Sequence, residues 1–203
     1  MKKLVKAVLA ATLGLSLVIL AGCGGGGSNV STKGVFGKLP AIVDKYSTKI
    51  DKIDADLKEV KSLDKAFKLS QEQKQLKDEM EKTFEETFKG MGTVAVPFEQ
   101  TGSKDQYTIK SCNVTKVHSG NHVVLELEVE SINGLEPMKF SPSAKGILLD
   151  DKGLVLDSSV YMGSYMDRTK GLKKGEILKF SGGVKLNASL GNAAKIKIAI
   201  KQD

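Results

Sequence analysis

The stretch HVVLELEVESI, residues 122–132, decides the fold class of this chain. Its apolar set is Val123, Leu125, Leu127 and Val129, and its acidic set is Glu126, Glu128 and Glu130. Successive side chains of a strand point to opposite faces, so this alternation indicates one buried face and one solvated face. Half-solvated strands are typical of antiparallel sheets. We therefore expect an antiparallel β-domain, with the glutamates solvating its outer face rather than forming a catalytic carboxylate pair.

Further alternating segments and turn signals extend this pattern over the C-terminal half of the chain. Asp150-Asp151-Lys152-Gly153 is a hairpin turn signal, and with Asp157 it does not match the spacing of a calcium loop. The expected strands cover residues 93–98, 107–117, 122–132, 147–149, 154–156, 176–184 and 195–200. This pattern predicts a β-sandwich of seven to eight strands over residues 91–203, and the absence of Trp excludes an antibody-type domain.

Residues 38–90 follow a helical period and hold 12 Lys against 12 Asp and Glu. Apolar residues recur there every three or four positions, which places them on one stripe of a helix. The first stripe is Val43, Tyr46, Ile50, Ile53, Leu57, Val60, Leu63 and Phe67, and the second is Leu69, Leu76, Met80, Phe84 and Phe88. Ser70 and Gln73 form a capping-box pattern, so we expect the break between two helices near residues 68–70.

The two stripes leave two interpretations open. The helices can cover each other or the β-domain, or the stripe can be a coiled-coil seam for a partner chain. The seam is short, and the step from Val60 to Leu63 breaks heptad timing. We therefore expect an N-terminal antiparallel helical hairpin, which with the β-sandwich gives an α+β chain.

The first residues resemble the export signal of a bacterial lipoprotein. Lys2, Lys3 and Lys6 precede an apolar run over residues 8–20, whose 13 residues are fewer than the ~20 that span a bilayer. Leu20-Ala21-Gly22-Cys23 follows directly and is similar to a lipobox. The resemblance implies that the chain is cut before Cys23, lipidated on that cysteine and anchored in the cell envelope. The alternative is an ordinary signal peptide with an incidental cysteine.

These observations divide the chain into four parts: a signal peptide (1–22), a flexible Gly/Ser-rich tether (23–37), the helical hairpin (38–90) and the β-sandwich (91–203). Three of the 31 basic residues lie in the signal peptide, leaving 28 against 24 acidic residues. That modest charge, and Arg168 as the single arginine, argue against nucleic-acid binding. Cys112, the other cysteine, lies in an expected strand and is interpreted as a buried thiol.

The β-region resembles an immunoglobulin-like domain of unknown function that is common in bacterial envelope lipoproteins. The resemblance rests on HVVLELEVES (122–131), FSPSAKGILLDDKG (140–153) and GLKKGEILKFSGGV (171–184), and it covers residues 105–201. The family's Leu-Lys-Pro-Gly-Glu turn corresponds to residues 172–176, with Lys174 in the place of proline. The resemblance implies a fold and an envelope location, and it transfers no catalytic residue.

The candidate functional residues lie between Tyr161 and Arg168. Tyr, Met and Arg are enriched in protein interfaces, and here they surround Gly163 and Ser164. Tyr161, Tyr165 and Arg168 are therefore candidate partner-binding residues; the alternative is that the tyrosine rings belong to the core. His118 and His122 supply two nitrogen atoms without a certain third ligand, and we interpret them as surface residues rather than a zinc site.

The sequence favours a lipid-anchored cell-envelope protein with a non-catalytic binding or scaffolding role, without cofactor or metal. Its expected partners are the membrane, through the lipid, and an unidentified envelope protein. An envelope hydrolase or metal-dependent enzyme is one alternative, and a purely structural spacer is another. The oligomeric state stays open.

Overall fold

The computed structural model describes residues 32–117, 120–137, 141–167 and 169–201, and it has an α+β architecture. Two helices precede eight strands in these residues. The elements are α1 (Leu39–Glu59), α2 (Leu63–Met91), β1 (Val94–Ala95), β2 (Phe98–Gln100), β3 (Tyr107–Val117), β4 (His122–Ser131), β5 (Ser143–Leu149), β6 (Val155–Ser164), β7 (Ile177–Lys185), a short 3₁₀ helix (Ala188–Asn192) and β8 (Lys195–Lys201).

The strands form one mixed sheet in the order β1-β3-β4-β7-β6-β5-β8-β2, curled into a half-barrel. Every adjacent pair is antiparallel except β2 and β8, which are parallel, so the expectation of a wholly antiparallel sheet was wrong for this pair. The exception arises because β1 and β2, at the two ends of the strand order, are consecutive in the chain. One segment therefore joins both edges of the curled sheet.

Pro97 divides the strand that the sequence predicted over residues 93–98. Before it, the Val96 amide donates to the Cys112 carbonyl of β3; after it, the Pro97 carbonyl accepts from the Ile196 amide of β8. Proline has no amide proton, so it cannot donate to a continuous ladder and is tolerated where a strand changes partner. The observed strands are therefore β1 and β2, one on each edge.

The core lies inside the curl and follows the alternation read from the sequence. Val123, Leu125, Leu127 and Val129 of β4 are fully buried, and Ile196, Ile198 and Ile200 of β8 are buried opposite β5. Asp150 closes the predicted hairpin between β5 and β6, since its carboxylate accepts from the amides of Lys152 (2.9 Å) and Leu154 (2.7 Å). Gly153 adopts a φ of +85°, which this turn requires.

The helices form an antiparallel hairpin, as expected, but they meet at residues 60–62 rather than 68–70. The Tyr46 hydroxyl lies 3.4 Å from that of Thr83, and Asp54 accepts from Gln73. Gln73 is thus occupied across the hairpin instead of capping Ser70, which lies within α2. Leu63 and Phe67 were placed on the buried stripe, and both are exposed.

The base of the hairpin shares one hydrophobic core with the sheet. Leu39 and Val43 of α1 and Phe84 and Phe88 of α2 belong to it. The Glu81 carboxylate accepts from the Gly120 amide in the turn between β3 and β4. The hairpin is therefore fixed to one end of the sheet.

Part of the segment predicted as tether, residues 34–37, is packed against this base. The Gly34 amide donates to the Gly191 carbonyl (3.2 Å) and the Val35 amide to that of Ala193 (2.7 Å), while Phe36 is buried. The prediction of a tether reaching residue 37 was wrong for these residues, because Val35 and Phe36 supply the apolar surface that a Gly/Ser linker lacks. The remaining tether residues up to 31 lie outside the described residues.

Candidate functional site

Tyr161 and Tyr165 stand out from the sheet at the C-terminal end of β6. Tyr161 is 57% exposed and Tyr165 is 87% exposed, whereas Met162 is buried and Met166 packs against the core. Because side chains alternate along a strand, the methionines anchor this segment while the tyrosines face solvent. Of the two interpretations of the cluster, burial of the tyrosine rings does not describe this structure. The third candidate, Arg168, lies outside the described residues.

Gly163 leaves a gap between the two tyrosines. A Cβ atom built on Gly163 would have no heavy atom within 4 Å, so the backbone is open to solvent there. Four residues of extended chain separate the tyrosines by about 13 Å. We call Tyr161, Gly163 and Tyr165 the tyrosine surface. Its shape is a flat floor of open backbone with a phenol ring at each end.

Lysines lie beside the tyrosine surface on the neighbouring strands. Lys145 of β5 is the register partner of Tyr161. Ser143 is the partner of Gly163 on one side and of Lys201 on the other, so Lys201 lies two strands away from the gap. No ion pair within the described residues engages Lys145 or Lys201. Their ammonium groups are therefore not neutralised by an ion pair within the described residues.

Hydrogen bonds fix the loop that follows Tyr165. The Asp167 carboxylate accepts from the Thr169 hydroxyl (2.6 Å) and amide (3.1 Å), and it lies 3.2 Å from the Lys170 ammonium. These bonds lower the pKa of Asp167, and the hydrogen bond from the Thr169 hydroxyl has the largest effect. The carboxylate therefore stays charged under ordinary conditions. Asp167 thus stabilises the turn that directly follows Tyr165, the last residue of the tyrosine surface.

A second set of backbone bonds ties this loop to the chain after β4. Leu135 and Leu172 exchange two hydrogen bonds of 2.8 Å each. The Glu176 amide donates to the Lys173 carbonyl, and Gly175 has a φ of +80°. Glycine at the third position of a four-residue turn is the requirement of a type II turn, in which proline is frequent at the second position, occupied here by Lys174. The loop is therefore held at both ends.

A cavity of about 250 Å³ opens beneath Tyr165. Met166 and Leu178 contribute apolar surface, and Asp167, Lys170, Lys173 and Glu176 contribute charges. Half-exposed Ile177 also lines it. Apolar surface with a few charged groups suits an anchor side chain from another protein. Neither Ile177 nor this cavity was predicted from the sequence, because the cavity forms only where residues 165–173 fold back against the start of β7.

The other candidates from the sequence occupy structural positions. Glu128 and Glu130 lie on the outer face of β4, paired with Lys179 (3.5 Å) and Lys110 respectively. Cys112 is buried, and burial raises the pKa of its thiol to about 12, which makes it unreactive at neutral pH. His122 is the register partner of Lys185, and His118 lies outside the described residues. No group of three potential metal ligands occurs among the residues that the structure describes.

The predicted lipid attachment residue, Cys23, and the signal peptide also lie outside the described residues. Within the described ranges, neither helix combines the length and the apolar character needed to cross a membrane. Comparisons with known protein families, with curated proteins and with solved structures find no match to this chain.

Proposed function

We propose that this chain is a lipid-anchored cell-envelope protein that binds another envelope protein, without catalysis, through the tyrosine surface. The exposure of Tyr161 and Tyr165 beside open backbone is the observation that carries the proposal. Tyrosine supplies large contact area with little side-chain entropy to lose, so exposed tyrosines on a fixed backbone are effective anchors for a partner. The lysines beside them favour a partner surface that carries carboxylates.

The anchor is proposed from the sequence. The basic start, the apolar run over residues 8–20 and the lipobox ending at Cys23 occur in the order and spacing that lipoprotein export requires. A lipid on Cys23 would hold the folded residues at a membrane surface outside the cytoplasm. A bound partner would then be recruited to that membrane, which is the scaffolding role.

We further propose that the sheet is an immunoglobulin-like β-sandwich. Two observations support this. The spatial order β8-β5-β6-β7 is a Greek key, the connection found in most β-sandwiches. The β6 and β7 strands are joined by only two register pairs, Gly163 with Ser181 and Ser164 with Phe180. We call this short junction the seam; in a sandwich it would be the place where one layer of strands passes into the other. The tyrosine surface would then lie at the seam, where the two layers separate.

Site-specific photo-crosslinking of the full-length chain in its own cells tests the binding role. A photoreactive phenylalanine analogue replaces Tyr165 in one variant and Leu154 in the matched control, because Leu154 is also an exposed apolar residue but lies at the other end of β6. We expect a discrete cross-linked protein from position 165 that is lost when Tyr161→Ala is added, and none from position 154. Identical products from both positions, or none from position 165, would contradict the proposal and favour a structural spacer.

A further inference from the structure

The helical hairpin projects from the sheet, to which only its base is attached. The buried residues of α2 are Phe84 and Phe88, both near its C-terminus. Those of α1 extend from Leu39 to Ile53. At about 1.5 Å per residue, the 21 residues of α1 span roughly 31 Å. The Glu81 carboxylate of α2 still contacts the β3–β4 turn, and Leu63 is 18 residues before it, so the turn between the helices lies up to about 27 Å beyond that contact.

Two large apolar side chains are exposed at that turn. Leu63 is 88% exposed and Phe67 is 65% exposed. Four residues apart in α2, they lie on the same side of the helix, one turn from each other. A single exposed apolar residue is ordinary. An adjacent pair at the end of a projecting hairpin forms an apolar patch with nothing in the described residues to cover it.

Lysines surround the apolar pair. Lys58, Lys61, Lys65 and Lys68 lie within eleven residues that contain two acidic residues, Glu59 and Asp64. None of these lysines forms an ion pair within the described residues. The first turn of α2 adds the positive end of its helix dipole. The tip, residues 58–68, thus combines an apolar patch with an excess of unneutralised positive charge.

We propose that the tip of the hairpin docks on an anionic lipid surface. Leu63 and Phe67 enter the boundary between headgroups and acyl chains, and the lysines contact lipid phosphates with their ammonium groups while their aliphatic stems lie along the apolar pair. Each lysine near an anionic leaflet contributes a modest attraction that salt screens, and the apolar pair keeps the tip in place. The docking goes beyond the proposed binding function and does not depend on it.

The length of the chain allows the tip and a lipid on Cys23 to contact the same bilayer. Gly34, the first residue bonded to the 3₁₀ helix, is at the base of the hairpin. Ten residues lie between it and Cys23, and the eleven residue-to-residue steps, fully extended, reach about 36 to 40 Å. This exceeds the roughly 31 Å from base to tip. The lipid on Cys23 could therefore lie in the same bilayer as the tip whether the hairpin stands perpendicular to the membrane or lies along it.

Fluorescence of the labelled full chain in vesicles tests the docking. Ser62→Cys carries an environment-sensitive dye, because Ser62 lies at the tip and its hydroxyl makes no capping hydrogen bond. Buried Cys112 does not compete for the dye, and a chain without the Ser62 substitution measures any labelling of Cys23. The control places the dye on Gln75→Cys, an exposed position within α2. Vesicles contain phosphatidylcholine alone or with phosphatidylglycerol, and quenchers attached to the acyl chains report insertion.

In anionic vesicles, we expect the dye at position 62 to be quenched several-fold more than the dye at position 75. This difference should disappear when Leu63→Ser and Phe67→Ser are combined. Both residues are exposed, so the double variant should fold normally, which circular dichroism checks. Equal quenching in both vesicle types, or no effect of the double variant, would overturn the proposal. Energy transfer between labelled copies, without quenching by the acyl-chain quenchers, would also overturn the proposal, since the tip would then contact a second copy of the chain.

Discussion

The backbone of Gly182 passes so close to Tyr161 that a Cβ atom on Gly182 would lie 2.0 Å from the Tyr161 carbonyl oxygen. This approach occurs at the narrow seam where β6 meets β7. It positions the backbone that carries Tyr161 against β7, and so couples the tyrosine surface to the packing of the sheet.

We expect Gly182→Ala to destabilise the fold by about 1 to 3 kcal/mol, because the added methyl group meets backbone atoms that no rotamer change can move. Gly183→Ala is the matched control, since a Cβ there meets no atom within 4 Å. Its effect should stay within about 0.5 kcal/mol. Urea unfolding of both variants measures the difference, and equal losses would show that the close approach is not a constraint.

Tyr165→Ala should leave the free energy of unfolding within about 0.5 kcal/mol of the wild-type value, because the side chain is exposed. Phe180→Ala, which truncates a buried ring within the seam, should cost about 3 to 5 kcal/mol. If the proposed interface exists, Tyr165→Ala should also weaken partner capture by about 2 kcal/mol. A strongly destabilised Tyr165→Ala protein would place this tyrosine in the core instead.

Glu128→Gln should change stability by no more than about 1 kcal/mol, because the Lys179 side chain is largely in solvent, that of Glu128 is about half exposed, and the two are 3.5 Å apart. Leu127→Ala, on the opposite face of the same strand, should cost about 2 to 5 kcal/mol. Thermal or urea unfolding distinguishes the two. A loss above about 2 kcal/mol for Glu128→Gln would indicate a coupled network on the outer face.

The free energy of unfolding should decrease at alkaline pH, and ionisation of Tyr107 should account for part of that decrease. Burial raises the pKa of this phenol to about 12, against an ordinary value of 10.0, so the folded state holds it neutral. Its contribution is complete below about pH 10 and is lost as the pH rises toward 12. Burial also raises the pKa of the Cys112 thiol, from 9.0 to about 12. Cys112 therefore also contributes to the loss of stability in alkali, beginning at a lower pH than Tyr107.

Tyr107→Phe should therefore flatten the decline of the urea midpoint above about pH 10. At neutral pH its effect should be within about 1 kcal/mol, because the buried hydroxyl has no hydrogen-bond partner among the described residues. Tyr165→Phe removes an exposed phenol and should leave the alkaline decline as steep as in the wild type. An unchanged slope in Tyr107→Phe would mean that the ring becomes accessible before it ionises.

Cys23→Ser in the full-length chain should abolish incorporation of labelled fatty acid and leave an uncleaved precursor, because lipid transfer to the thiol precedes cleavage in the lipoprotein pathway that the resemblance implies. Cys112→Ala is the control and should keep both lipid and cleavage. Recovery of the wild-type chain as a non-acylated, soluble product would refute the anchor.

Local patterns in the sequence predicted the elements whose burial repeats regularly. The alternation in β4 placed its core residues correctly, and the helical period placed Val43, Ile53, Phe84 and Phe88. The helix break was misplaced because Ser70 and Gln73 match a capping pattern that the chain does not use, while residues 60–62 carry no Gly or Pro to mark the real turn. A weak local preference was overridden by pairing across the hairpin.

The candidate site could be predicted only in its residue types. Tyr161 and Tyr165 were identified, but their exposure depends on which face β6 presents, and Met162 and Met166 occupy the alternate positions. Gly163 lies where β6 meets β7, and the cavity beneath Tyr165 forms where residues 165–173 fold back against the start of β7. Both depend on how the chain returns to the sheet after β6, which the alternation within a single strand does not encode.

The segment that joins both edges of the sheet also bears on how the protein behaves when copies crowd together. An open sheet offers two rows of unpaired amides and carbonyls, onto which strands of neighbouring molecules can add. Here the outermost strands, β1 and β2, have only two and three residues, and Pro97 interrupts the segment between them. Another chain would find no long edge to extend, so the fold is guarded against strand-by-strand aggregation at high local concentration.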